Sequence, residues 1–255
     1  MKTLLKYDFL FLWKTKKYII FPVIFGLFAM MSPLLAYYLP EIINMIPATE
    51  GISIQMPPAT VGNAYVQYFA DMNETVLFIV IFVAISVFTK EKTSGLLIQL
   101  FSKPVSKKKY ILSKYISFIA LLFASLLVAI LCFSFYTYII FDEMAVGAFL
   151  LANITQFSYF AFIIAVCLFF SVTSKSYLTA LLQTFGVYVG LFFFSIFNVA
   201  PFKYLPVALV GQSANILFDN VNSNVLWISL SGTLIITILL VFFSVKIIRK
   251  QDILK

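Results

Sequence analysis

The chain has 255 residues, of which 62% are hydrophobic and only 11% charged, with a mean hydropathy of +1.03. A soluble domain carries about 25% charged residues, so the surplus apolar surface here needs lipid as its solvent. The net charge of +8 is not the footprint of nucleic-acid binding, because the lysines sit beside long apolar runs rather than along a polar face. There is no histidine, and Cys132 and Cys167 lie inside apolar runs, which excludes a histidine-based or zinc hydrolase and a disulfide framework.

In chain order, residues 1–17 mix lysines with Leu4, Phe9, Phe11, Leu12 and Trp13. This composition suits a helix lying in the membrane interface, lysines toward headgroups and apolar side chains toward the acyl boundary; extension of the first span is the alternative. The first apolar run, 18–39, follows a basic start like a signal peptide but is too long and lacks a small-residue cleavage site, so it reads as a span. The stretch after it carries Pro40, Pro47, Pro57 and Pro58, expected to break any long helix.

Further charge-free runs occupy residues 75–89, 115–141, 149–173, 177–200 and 225–245. About 20 apolar residues are needed to cross about 30 Å of hydrocarbon. The run at 75–89 is too short, so that span is expected to begin near residue 68, across Asp71 and Glu74. Lipid cannot satisfy backbone polar groups, so each run is read as a helix; a barrel's alternation of apolar and polar residues is missing. The segment 200–224, with Pro201, Pro206, Gly211 and several asparagines, is expected to hold short interfacial or re-entrant helices. The polar Ser86, Asn153, Gln156, Gln183 and Asn198 are expected to hydrogen-bond between helices. No internal repeat divides the chain, which reads as a single all-α membrane domain over residues 1–255.

Every Lys and Arg except Lys203 falls on the N-terminal segment, on the loops between spans two and three and between four and five, or on the tail. The opposite loops carry Glu41, Glu50, Asp71, Glu74, Asp142, Glu143 and Asp219. By the positive-inside bias, both termini are expected in the cytoplasm.

The loop over residues 90–114, KEKTSGLLIQLFSKPVSKKKYILSK, is longer than a connection requires and has internal order. Thr93 or Ser94 can cap a short helix, to which Leu96, Leu97 and Leu100 give an apolar face. Pro104 is expected to end that helix, and Ser106 to cap the next, which runs through the lysines into the third span. Exposed leucines beside a membrane need a cover, either the protein's own helix ends or a docked partner.

This pattern resembles the coupling-helix region of ABC-2 type transporter permeases: acidic Glu91, then Gly95, Leu96, Leu97 and Leu100, then Ser102, Pro104, Val105, Ser106 and Lys107, with Lys114 entering the next span. The tail KIIRKQD, residues 246–252, resembles the family's basic-then-aspartate ending. Leu96 stands where threonine often follows the glycine, and Lys107 where arginine is usual. The six-span layout extends the likeness over the whole chain.

The resemblance implies a permease that docks a separate cytoplasmic ABC ATPase, pairs with a second permease, identical or related, and exports an amphipathic or hydrophobic cargo. Related permeases export antimicrobial or cytolytic peptides. ATP and magnesium would sit on the partner, because this chain has no G-x-x-x-x-G-K-[ST] phosphate loop and so is not expected to be the enzyme. The expected ATPase contact comprises Glu91, Thr93, Gly95, Leu96, Leu97, Leu100, Ser102, Pro104, Val105, Ser106 and Lys107, with Glu91 and Lys107 as flanking charges and the leucines as the apolar knob. A secondary transporter or structural scaffold without an ATPase is the alternative, although the charge-free runs hold no ionisable group to mark an ion path. The 17:1 excess of lysine over arginine points to the cell membrane of a low-GC Gram-positive bacterium.

Overall fold

The computed structural model describes residues 1–45, 57–102, 105–196 and 204–250. Among them the chain is helical without a strand, and six helical segments are long and apolar enough to cross a membrane.

The N-terminal helix α1, Lys2–Lys14, stands apart from α2, Lys17–Asn44. Lys16 breaks the path between them with a left-handed φ of 55°, so α1 is not an extension of the first span. Its expected apolar face is divided: Leu12 is buried, Phe11 packs against the core, and Trp13 is largely exposed. Pro40 does not end α2, which carries Pro22, Pro33 and Pro40 within it. A proline removes one backbone donor, and neighbouring helices and side chains tolerate that loss inside a membrane bundle. Pro47 lies outside the described residues, and Pro57 and Pro58 precede α3 in a non-helical stretch.

The second span is longer than its apolar run. It comprises α3, Val61–Asp71, a π-helical turn, Met72–Val76, and α4, Leu77–Thr93. Asp71 is accommodated because Ser32 Oγ and Gln67 Nε2 each donate to its carboxylate at 2.9 Å. The π turn is held by side chains. Gln156 Nε2 donates to Asn73 Oδ1 at 2.6 Å, Asn73 Nδ2 donates to the Phe69 carbonyl, and the Tyr188 hydroxyl donates to the Asn73 carbonyl.

After the short α5, Leu96–Phe101, the third span α6, Lys107–Phe141, begins at the lysine cluster and continues unbroken. Spans four and five are α7, Val146–Thr173, and α8, Tyr177–Ser195. Between α8 and the last span, α10, Ser223–Lys250, lie α9, Ala208–Asn215, and a 3-10 turn, Ile216–Phe218. The expected short helices in that segment are present.

Burial sets the layers. In α7, 67% of the spanning segment is buried and in α8 only 11%, so α7 is the central helix and α8 a peripheral one. Tyr65, Tyr68, Phe133 and Phe149 form an aromatic cluster, with 4.7 Å between the Phe133 and Phe149 rings. The Tyr68 hydroxyl donates to Asn153 Oδ1 at 2.8 Å, and Ser174 Oγ donates to Gln183 Oε1. Asn153, Gln156 and Gln183 thus link helices as expected, whereas Asn198 lies outside the described residues.

Candidate functional site

The middle of α1 meets the C-terminal end of α4 and the N-terminal end of α6 at the lysine-rich end of the bundle. Glu91 lies in the last turn of α4, while Tyr110, Ser113 and Lys114 share one face of α6 because i, i+3 and i+4 positions are neighbours on a helix. Asp8 comes from the middle of α1. Lys114 Nζ lies 2.7 Å from Asp8 Oδ1 and 2.6 Å from Glu91 Oε1. The Tyr110 hydroxyl donates to Glu91 Oε2 at 2.7 Å, and Ser113 Oγ donates to Asp8. The rings of Phe11, Tyr7 and Tyr110 surround the ammonium at 5.4 to 5.8 Å, within the reach of cation–π attraction.

The cluster is buried: the Lys114 and Glu91 side chains are each 3% exposed. Burial holds the Asp8 carboxyl above the usual carboxylate range, outweighing the opposing pull of Lys114 and Ser113. The arrangement is a clamp, two carboxylates sharing one ammonium. Truncating one member of such a set leaves an uncompensated buried charge. A second tie joins α4 to α7, where Lys92 Nζ donates to the Val172 and Ser174 carbonyls at 3.0 and 2.6 Å. Those carbonyls belong to a helix C-terminus, where a cation is favoured.

The helix α5 follows α4 directly and touches the clamp through Phe101, whose ring lies 5.5 Å from that of Tyr110. Gly95 precedes it with φ 72° and meets nothing within 4 Å of an added Cβ. The left-handed backbone conformation alone therefore calls for glycine. Leu97 points inward at 7% exposure, whereas Leu96 and Ile98 are 42% and 51% exposed. Leu100 is half-buried against the core. Beneath α5 a cavity of about 440 Å³ opens between α4, α6, α7 and α10, lined by Phe88, Leu97, Tyr110, Leu168 and Ile248 with Lys92, Lys114 and Lys175.

The expected coupling residues are thus only partly together on one surface. Glu91 is not a flanking charge of α5, because its carboxylate is consumed by Lys114 and Tyr110. Leu97 is an inward anchor rather than part of an outward knob, and Ile98, absent from the expected set, takes its place. Lys107 does flank α5, its Nζ 5.9 Å from the Phe101 ring and 3.5 Å from the Arg249 carbonyl. Thr93 ends α4, and Ser102 follows α5 as its C-cap. Val105 and Ser106 lead into α6; Ser106 occupies the N-cap without a side-chain cap bond. Pro104 lies outside the described residues.

Asp8, Tyr110, Ser113 and Ile98 were not in the expected set. Asp8 is the one carboxylate before Glu41, and Glu91 the one carboxylate of a lysine-dense loop. Lone acids of that kind, facing a lysine at the start of a span, were the available signal.

A family model described as ABC-2 family transporter protein matches residues 3–229 of the chain. The chain is also similar to a protein of Bacillus subtilis (strain 168) described as an uncharacterized transmembrane protein, YxlG. The two are 25% identical over 263 aligned positions, covering 99% of this chain and 98% of that protein.

Proposed function

Because the chain belongs to the ABC-2 transporter family, and is therefore a multi-pass transporter membrane subunit, we propose that it couples to a separate ATPase through α5. The observation that carries this reading is the placement of α5. It offers Leu96 and Ile98 outward while its underside rests on a bundle end tied by the Asp8–Lys114–Glu91 clamp and by Lys92. A short helix on a rigid base can pass a push from a bound partner to several spans at once. The clamp joins α1, α4 and α6, and the Lys92 tie adds α7.

The partner supplies ATP and magnesium chemistry, since this chain has no phosphate loop of its own. Its work is outward movement of an amphipathic or hydrophobic cargo, such as an antimicrobial or cytolytic peptide. A second permease, the same or related, completes the translocation path in the cell membrane of a Gram-positive bacterium.

The test is affinity purification of the full chain in mild detergent from cells expressing its native partners, with and without Leu96→Asp and Ile98→Asp together. The wild type should bring down an ATP-binding protein near stoichiometry. The double variant should lose it while keeping its helical content and unfolding temperature. Recovery of the ATPase in equal amount with both versions would sink the α5 contact. Recovery of the wild-type chain alone would favour a secondary transporter or scaffold.

A further inference from the structure

In the half of the bundle away from the lysines, the π turn brings Glu74 to a cavity of about 200 Å³, walled by Tyr159, Tyr188, Phe192 and Val210, with Asn73 in its lining. We propose that this cavity binds the positively charged head of an amphipathic cation, an amine or guanidinium carried on an apolar body. Four observations converge on it.

First, Glu74 lies within a membrane-spanning segment, where ionisable groups are costly and mark functional sites. Its neighbour Asp71 is engaged by Ser32 and Gln67. Glu74 instead has no hydrogen bond or ion pair among the described residues and its side chain is exposed. Second, the lining is built rather than incidental. Gln156 and Tyr188 fix Asn73, and the Ser213 hydroxyl of α9, which donates to the Val210 carbonyl at 2.7 Å, lies 3.4 Å from Gln156 Oε1. A π turn of this kind is rare and recurs at functional sites; here it sets the register that turns Asn73 inward and Glu74 toward the cavity.

Third, the chemistry suits a cation with an apolar body. Tyrosine rings present negative faces to a cation, and Phe192 and Val210 offer apolar surface beside the carboxylate. The volume accepts a head group, leaving the body along the exposed apolar sides of Phe192 and Val66. Fourth, the field favours it. Among the described residues every Lys and Arg lies at the other end, and Glu41, Asp142, Glu143 and Asp219 share this one; a surface of one sign raises the local concentration of its counter-ion. Lys203 lies outside the described residues.

That the bound cation is cargo rests on the exporter reading; binding itself does not, so the test uses the isolated permease. The purified full chain is placed in phosphatidylcholine nanodiscs, and radiolabelled dodecylamine, protonated at neutral pH, is titrated, with binding to empty nanodiscs subtracted. Saturable binding is expected, with no competition from dodecanoate. Glu74→Gln should weaken it about tenfold or more, the scale set by removing one charge from the partner of a bound ion. Asp219→Asn, which removes a carboxylate from the same end but not from the cavity, should leave it unchanged.

Equal binding by Glu74→Gln and wild type overturns the site, as does equal weakening by Asp219→Asn, which would mark a diffuse surface charge. Loss of ATPase recovery with these results intact would overturn the exporter reading alone.

Discussion

Lys114 is the cation that both carboxylates of the clamp share. With its side chain 3% exposed between two carboxylates, replacement by methionine preserves bulk but leaves Asp8 and Glu91 facing each other without a cation. Breaking a buried pair from one side costs about 3–5 kcal/mol, so K114M should unfold well below the wild type in detergent. The triple variant D8N/E91Q/K114M, which removes the charges together, should recover much of that deficit. A K114M protein as stable as the wild type would mean the clamp is structurally idle. Asp8 adds a pH signature. Its carboxyl is raised by burial, so the folded chain holds that proton more tightly than the unfolded one. Its contribution to stability is full below the ordinary aspartate range and falls as pH rises through the raised value. Asp8→Asn should flatten that fall in a series of unfolding curves across acidic to neutral pH. Little of this was legible from sequence, because Asp8 and Lys114 are separated by more than a third of the chain. Composition singled out Glu91 as a charge, but only packing shows that Lys114 and Tyr110 consume it.

Among the elements, the spans declared themselves through their apolar runs, while their ends did not. The second span extends from Val61 to Lys92 because Ser32 and Gln67 satisfy Asp71, a solution contributed in part by a different helix. The helix α2 likewise runs on through Pro40, against the expectation from its ring. The short α5 was visible as a helix, but hydrophobicity alone could not tell inward Leu97 from outward Leu96 and Ile98. That choice depends on the rotation imposed by the turn at Gly95. The π turn left no mark in the sequence, since it is held by Gln156 and Tyr188 from two later spans. Its dependence on Gln156 is testable. An interhelical hydrogen bond in a membrane bundle contributes about 0.6 kcal/mol and at most about 1.7. Gln156→Leu cuts the 2.6 Å bond that holds Asn73 in the π turn, so its cost should lie toward the upper figure. Tyr68→Phe cuts only the bond to Asn153 and should cost less. Chemical unfolding of the two variants in the same detergent ranks them, and the reverse order would place the aromatic cluster rather than the π turn at the polar centre.

At the scale of the whole molecule, charge and topology agree without either being derived from the other. Alternation along six spans gathers the ends carrying Lys17, Lys92, Lys107, Lys175 and Lys250. The contacts of Lys92 with Val172 and of Lys107 with Arg249 show that these ends meet in space. One end of the bundle is therefore cationic and the other anionic, and the positive-inside bias predicts that the cationic end faces the cytoplasm, where α5 would meet an ATPase. Orientation is testable on intact cells without knowledge of cargo or partner. With Cys132→Ser and Cys167→Ala as background, single cysteines are introduced as Lys109→Cys and Glu143→Cys, both at exposed positions. A membrane-impermeant maleimide should label Glu143→Cys directly and Lys109→Cys only after permeabilisation. The opposite pattern would put α5 outside the cell and the Glu74 cavity inside. The ATPase contact proposed for α5 would then be geometrically impossible.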